Sequence, residues 1–535
     1  MLDSGRGPLL PPIRSEIFGS ARFMQHGRSL GLTHQAAQSQ AYSTTFFPRL
    51  RSNMQALREA YAYIGEQART GYDISPAAEW LMDNFHLIEA QVKEIHAGLS
   101  RSYFRTLPVL MEEPLAGLPR VYGVVWAFIA HTDSAFDEGL LVQYLSSYQG
   151  ACELKLSELW ALPTTLRVVL VENLRRLAER IATHKAAREL ANLCFDSIDA
   201  FAVDDLDATL KALEGRGVGS VFLAQIAQRA QDRRITGDAE HYHELYEWLQ
   251  REVPDLAALQ QERSAAQAAD NLSVSNAVNS LRLVGDADWS EIIANCSELV
   301  KTLLQSALFS AEDAATRDQT LHAVERLAKR SGRTEVDVAR VLLGLMQSGA
   351  MVDAGQSTAN YWLAGPGRAE TRRALGIPKL NAWADGLLQG KWTFALYAVA
   401  VLGLSWLLVW VTWRHGAGGA VSLGGATLFG ALLMLFPASE AVIAVINRLI
   451  SESVRPRHLP RLSLAHGIPI QHRVLVVVPA MLTHTDGIVE LVQRLERHYL
   501  ANPEPMAQFA LLTDWTDATQ AQAQGDAALL ASSRS

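Results

Sequence analysis

From Trp392 to Trp413 the chain reads WTFALYAVAVLGLSWLLVWVTW, about 22 residues without a charge. At about 1.5 Å of rise per residue, a helix of that length crosses the roughly 30 Å hydrocarbon core of a bilayer. Tryptophans stand at both ends, where indole rings favour the headgroup level. Core helices of soluble proteins seldom run so far without a charge, so this segment is predicted to span a membrane. A polar link, Arg414 to Gly419, leads to a second apolar run, Ala420 to Ile446, which carries Pro437, Ser439 and Glu440. A carboxylate is costly at the centre of a bilayer. The second span is therefore expected over Val421 to Phe436 plus a turn, bending at Pro437, with Ala441 to Ile450 leaving along the interface.

Basic residues orient the pair. Arg368, Arg372, Arg373, Lys379 and Lys391 precede it, and Arg448, Arg455, Arg457 and Arg461 follow, whereas the connecting loop holds Arg414 and His415. The positive-inside bias places both outer flanks in the cytoplasm and the loop outside. The result is a transmembrane hairpin over 391–450. A mean hydropathy of +0.04 is then an average of two apolar spans and a soluble background. Hydrophobic residues make up 49% and charged residues 19%, which excludes wholesale disorder. A net charge of −8 gives no general attraction to nucleic acid, and none is expected as a partner. Cys152, Cys194 and Cys296 form no Cys-x-x-Cys pair and read as reduced, buried thiols. The first 20 residues have no basic stretch followed by an apolar one, so no signal peptide is expected.

Residues 1–50 are rich in Gly, Ser, Pro, Gln and Arg and read as a mobile arm. Residues 51–380 are helical in pattern and read as an all-α domain on the cytoplasmic side. Ser75-Pro76 opens one helix, with Ser as N-cap and Pro at the first helical position. Trp80, Leu81, Phe85, Leu87 and Ile88 then recur mostly at spacings of three and four. His131 and Asp133 resemble a catalytic pair, but residues two apart on a helix point to different faces, so a structural role is expected. Arg175, Arg176, Arg180 and Lys185 read as a solvated helix face, with contact to anionic headgroups as the alternative. Trp80, Trp126 and Trp160 read as core residues rather than sugar platforms.

A linker over 451–470 separates the hairpin from a change of pattern. Val474-Leu475-Val476-Val477-Val478-Pro479 reads as a buried parallel strand. Asp486 to Tyr499 is an amphipathic helix, and Phe509 to Thr513 is a second strand that ends in Asp514. This β-α-β order opens a doubly wound sheet, on which ligands bind beyond the carboxyl ends of the strands. Asp514 and Asp517 sit at such an end. They are candidates to bond a base, a ribose or a metal; the alternative is a pair of turn-capping aspartates. No GxGxxG and no GxxxxGK[ST] occurs, which disfavours a dinucleotide or P-loop site. A glycosyltransferase-A type fold needs neither, since it uses strand-end carboxylates and a divalent cation on the diphosphate.

Four stretches carry a family resemblance: ISPAAEWLMDNFHLIEAQVKEI at 74–95, LPRVYGVVWAFIAHTDSAFDE at 118–138, LSELWALPTTLRVVLVENLRRLA at 156–178, and HGIPIQHRVLVVVPAML with FALLTDWTDA within 466–518. From about residue 70 onward the chain resembles the cyclic β-1,2-glucan synthases of bacterial inner membranes. The resemblance implies a mainly α chain: a helical domain, a membrane hairpin and, over 471–535, the start of a GT-A-like transferase domain. It implies an inverting transferase that polymerises glucose from UDP-glucose, with Mg or Mn as divalent cation in the complete enzyme. Inner-membrane lipid, the nucleotide sugar and the growing glucan are the implied partners. Asp514 matches the family's post-strand aspartate, which in related transferases contacts the uridine, and Asp517 is its neighbour in the same motif. Where the wider pattern has an acidic residue after the first strand, this chain has Ala480-Met481-Leu482, with Asp486 a weak substitute. The metal-binding Asp-x-Asp and the acceptor-activating Asp would lie beyond residue 518, so the chain is expected to be a fragment that is incomplete for catalysis. A non-catalytic membrane scaffold, or another membrane glucan synthase, is the alternative.

Overall fold

The computed structural model describes residues 1–2, 7–37, 46–70, 74–98, 101–104, 106–197, 203–236, 243–253, 255–378, 393–416, 425–453, 459–465, 467–520, 523 and 525–534. The chain is mainly helical and divides into two units. One comprises Met1–Leu303 with Thr334–Ala339, and the other Leu304–Arg333 with Arg340–Ser535.

The first unit is built around the helix Leu162–Asp196. Pro163 stands in its first turn, where a missing N–H costs nothing. Its apolar residues are not confined to one stripe: Leu166, Val169, Leu170, Val171, Leu174 and Leu177 are all buried. A helix that is apolar on all sides has to be surrounded. Helices Phe46–Arg69, Phe85–Gly98, Arg120–His131, Gly219–Thr236 and Leu256–Asp286 pack around it. Each fully buried Leu or Val contributes roughly 1.5–3 kcal/mol. Beyond its middle, a second cluster gathers Phe195, Leu206, Leu210, Phe222, Ile226 and Trp248. The predicted cap at Ser75 is present: its hydroxyl accepts the Ala78 N–H at 3.4 Å, with Pro76 leading the helix Pro76–Asp83.

Several sequence readings change here. Within 1–50, read as a mobile arm, Ser20–Thr33 is a helix with Phe23 buried, and the Ile13 N–H donates to Asn173 Oδ1 at 2.7 Å. Two of its glycines, Gly27 and Gly31, serve close packing: a Cβ on Gly31 would lie 2.6 Å from the Tyr148 carbonyl oxygen. Residues 38–45 of that stretch fall outside the described ones. The basic stretch is not a solvated face. Arg175 and Arg176 are buried, and the Arg176 guanidinium lies 4.8 Å over the Trp126 ring. Trp80 is exposed, and Trp126 and Trp160 are only partly buried, whereas Trp248 and Trp362 are buried. His131 stacks on Phe18 and binds the Glu16 carbonyl, while Asp133 accepts from Arg14 and Ser273. The two form no pair, as their spacing predicted.

The second unit holds two helices long and apolar enough to cross a membrane, Phe394–His415 and Phe429–Ser453, each with 11% of its most apolar stretch buried. A soluble core helix would be mostly buried; here Phe394 is 81% exposed and Phe436 77%. The helices run antiparallel. The Tyr397 hydroxyl donates to Asn447 Oδ1 at 3.3 Å near one end, and Gly430 faces the Trp413 ring near the other. Ser405, Val409, Ala438 and Val442 form the buried seam. The second helix differs from expectation. It runs without interruption from Gly425 to Ser453 through Pro437, and its apolar span includes Glu440. Pro437 removes one donor, but ending the helix there would orphan more backbone groups in an apolar setting. Residues 421–424 and Trp392, placed in spans by the sequence reading, lie outside the described residues.

The β-α-β order is present. Strands Val474–Leu482 and Ala507–Trp515 pair in parallel, Val474 opposite Ala507 through Leu482 opposite Trp515, and helix Thr485–Ala501 connects them. Both strands run longer than their β-branched cores suggested. The burial expected of the first strand is not met within these residues: Leu475 is 58% exposed and Leu512 63%. Two strands and one crossing helix leave a parallel sheet uncovered.

Candidate functional site

The parallel sheet aims two chain segments past its carboxyl edge. Asp514 is the penultimate residue of its strand, in register with Met481, and Asp517 lies two residues beyond the strand's end. Both side chains are exposed. Asp514 Oδ1 accepts the Trp515 N–H at 2.8 Å, which ties the carboxylate to the strand end. No further partner of Asp514 or Asp517 is seen among the described residues.

From the neighbouring strand, Leu482 passes through Thr483 into His484, the N-cap of helix Thr485–Ala501. Thr483 Oγ1 and His484 Nδ1 lie 2.8 Å apart, and the imidazole folds over the first turn. A Cβ on Gly487 would sit 3.1 Å from that ring, so glycine makes room for it. The His484 side chain does not cap the helix, whose first N–H groups therefore point past the sheet edge. Asp486 stands in the first turn.

The strand-end carboxylates can accept hydrogen bonds from N–H or hydroxyl donors, and the helix N-terminus favours an anion. The sequence singled out Asp514 and Asp517, and the sheet brings their segment beside the 483–487 turn. Thr483 and His484 were missed. Their signal was the polar THTDG stretch (483–487, after Leu482) between a strand and an apolar-periodic helix. Among the described residues no group of three His, Cys, Asp or Glu side chains could hold a metal ion. Two exposed aspartates do not supply the oxygen cage of a divalent cation, so these residues do not fit one.

No family model matches the chain. It is 29% identical over 531 residues to the cyclic beta-(1,2)-glucan synthase NdvB of Rhizobium meliloti (strain 1021). The match takes in 97% of this chain and spans 18% of the relative's length. The resemblance noted in the four sequence stretches is thereby supported along nearly the whole chain.

Proposed function

We propose that this chain is part of a membrane glycosyltransferase that takes glucose from UDP-glucose and builds it into cyclic β-1,2-glucan. The carrying observation is the 29% identity over 97% of the chain, which takes in the helical unit, both apolar helices and the β-α-β unit. In this reading the apolar pair sits in the inner membrane as a hairpin, with the helical unit and the β-α-β unit on the cytoplasmic side, where nucleotide sugars are available. Asp514 accepts the uracil N–H and Asp517 a ribose hydroxyl. The start of helix Thr485–Ala501 faces the diphosphate. These residues bind and orient the donor. The acceptor base and the cation belong to the rest of the synthase, and these 535 residues alone transfer no glucose.

A second reading, a non-catalytic assembly module, draws on the open faces of the sheet, where a partner layer would cover Leu475 and Leu512. Photolabelling with an azido analogue of UDP-glucose separates the two. The donor-site reading expects labelling of the 535-residue chain that UDP competes away. Absence of labelling favours the assembly module. Membranes of the producing bacterium, given labelled UDP-glucose, are expected to form β-1,2-linked glucan, and a different linkage would assign the chain to another membrane glucan synthase. Polymer made by the 535 residues alone would overturn their proposed incompleteness.

A further inference from the structure

Far from the strand-end aspartates in sequence, the helical unit holds a partly open cavity of about 240 Å³. Arg180, His184 and Arg188 follow one another at intervals of four along the helix Leu162–Asp196, so they share one face. Helix Leu256–Asp286 brings Arg263 and Asp270 to the same space. Ser220 enters from the first turn of helix Gly219–Thr236, and Leu9 to Pro11 close one wall.

The cations outnumber the anions available to them. Asp270 Oδ2 lies 3.0 Å from Arg180 Nε, but its other oxygen serves Arg14 at 3.2 Å. Glu189 pairs with Lys185 at 2.7 Å, and Glu262 is exposed at the rim. Among the described residues neither Arg188 nor Arg263 forms a salt bridge, and Arg188 Nε is buried without a hydrogen-bond partner. Burial lowers the pKa of both guanidiniums, and the charge of Arg188 adds to the lowering at Arg263. Burial and the three arginines push His184 down to about 3, so at neutral pH it adds a hydrogen-bond donor but no charge. Unpaired guanidiniums are costly to bury, and a bound anion offsets that cost.

We propose that this cavity binds a phosphate-bearing anion, a diphosphate or a phosphate ester, held by Arg180, Arg188 and Arg263 with Ser220 and His184 as further donors. Guanidinium forks match phosphate oxygens in pairs, and the start of helix Gly219–Thr236 adds its positive dipole end. The volume exceeds the roughly 30 Å³ share of a single water several-fold. The site shares no residue with the strand-end aspartates, so its fate is independent of the donor-site reading. A nucleoside diphosphate and a phospholipid headgroup carry the same chemistry and are separated by the test.

The full chain in detergent is titrated with inorganic pyrophosphate at constant ionic strength, and thermal unfolding is followed by circular dichroism. A saturable rise in Tm is expected for the wild type. In Arg188→Gln/Arg263→Gln the apparent Kd should weaken at least tenfold, while the Tm without ligand stays level or rises because like charges have been removed. No rise in the wild type, or an equal rise in the double variant, overturns the proposal. UDP binding tighter than pyrophosphate identifies a nucleotide as the occupant. Saturation by glycerol phosphate and by phosphatidylglycerol nanodiscs, but not by UDP, identifies a lipid headgroup. Either outcome supports the site.

Discussion

Arg49 and Glu172 meet through two parallel hydrogen bonds, Nε to Oε2 at 3.0 Å and Nη2 to Oε1 at 2.6 Å. Glu172 lies inside the central helix and is 1% exposed. Its oxygens also accept from Asn53 at 3.0 Å, Tyr122 at 2.7 Å and Arg176 at 2.8 Å. One carboxylate thus joins three helices. A buried charge is tolerable when its lone pairs are filled in this way.

Replacing Glu172 with Gln is expected to destabilise the helical unit by roughly 3–5 kcal/mol, because Arg176 stays buried without its counter-charge. Denaturant unfolding of both proteins, followed by circular dichroism, measures the difference. Burial works against ionisation of Glu172, yet the hydrogen bonds from Arg49 and Tyr122 and the charges of Arg49 and Arg176 bring its pKa from 4.5 to about 2. The folded carboxylate therefore releases its proton more easily than the unfolded one. Its contribution is present above 4.5 and is lost as pH falls toward 2. The wild type should lose stability across that window, and Glu172→Gln should lack this part of the slope.

Glu312 is expected to show the opposite dependence. Burial pushes it up to about 7 against the pull of Arg317. It lies beside a backbone tether in which Ser463 N–H donates to Ala311 at 2.7 Å and Asp313 N–H to Arg461 at 2.8 Å. The folded state keeps the proton up to about 7, whereas the unfolded state gives it up near 4.5. Stability is therefore lost as pH rises through that window. Hydrogen exchange at Ser463 and Asp313, corrected for intrinsic rate, should accelerate in the wild type as pH rises from 4.5 to about 7 and level off above it. In Glu312→Gln it should not.

Asp514→Asn keeps an oxygen to accept the Trp515 N–H and removes the charge. Donor photolabelling is expected to weaken about tenfold, in line with loss of one charge-assisted hydrogen bond worth roughly 1.5–3 kcal/mol, with the circular dichroism spectrum unchanged. Asp517→Asn should have a smaller effect. Equal labelling of all three proteins would remove these aspartates from the site.

The apolar pair is held by a narrow seam, so bulk there should separate it. With the three native cysteines replaced, cysteines at Tyr397 and Asn447 are expected to be joined by a short bismaleimide. Ala438→Trp, which overpacks the seam, should reduce that cross-linking several-fold. Unchanged cross-linking would mean that Ala438 does not set the approach of the helices.

Local chemistry made much of this architecture readable. An uncharged run such as 393–413 can satisfy its backbone only as a helix in an apolar setting. Ser75-Pro76 caps a helix wherever it occurs, and a β-branched run, an amphipathic stretch and a second apolar run produce a β-α-β order. The place of Asp514 at a strand end was legible because the apolar run before it marks the strand. The direction taken by the His484 ring was not, because an N-cap residue carries no sequence sign of how its side chain folds over the first turn.

The tertiary structure decided what each charge and each glycine does. Arg175, Arg176 and Arg180 look alike in sequence. In the fold Arg176 pairs with Glu172, Arg175 with Glu179, and Arg180 lines a cavity facing a helix some eighty residues away. Gly27 and Gly31 signal mobility in composition, yet they let a helix close on Tyr144 and Tyr148. The physical reason is range. Helix, strand and span are set by neighbours within a few turns and by the solvent around them, so the sequence determines them by itself. A buried charge, a cavity or a close approach depends on groups brought together across hundreds of residues, and only the packed chain places them.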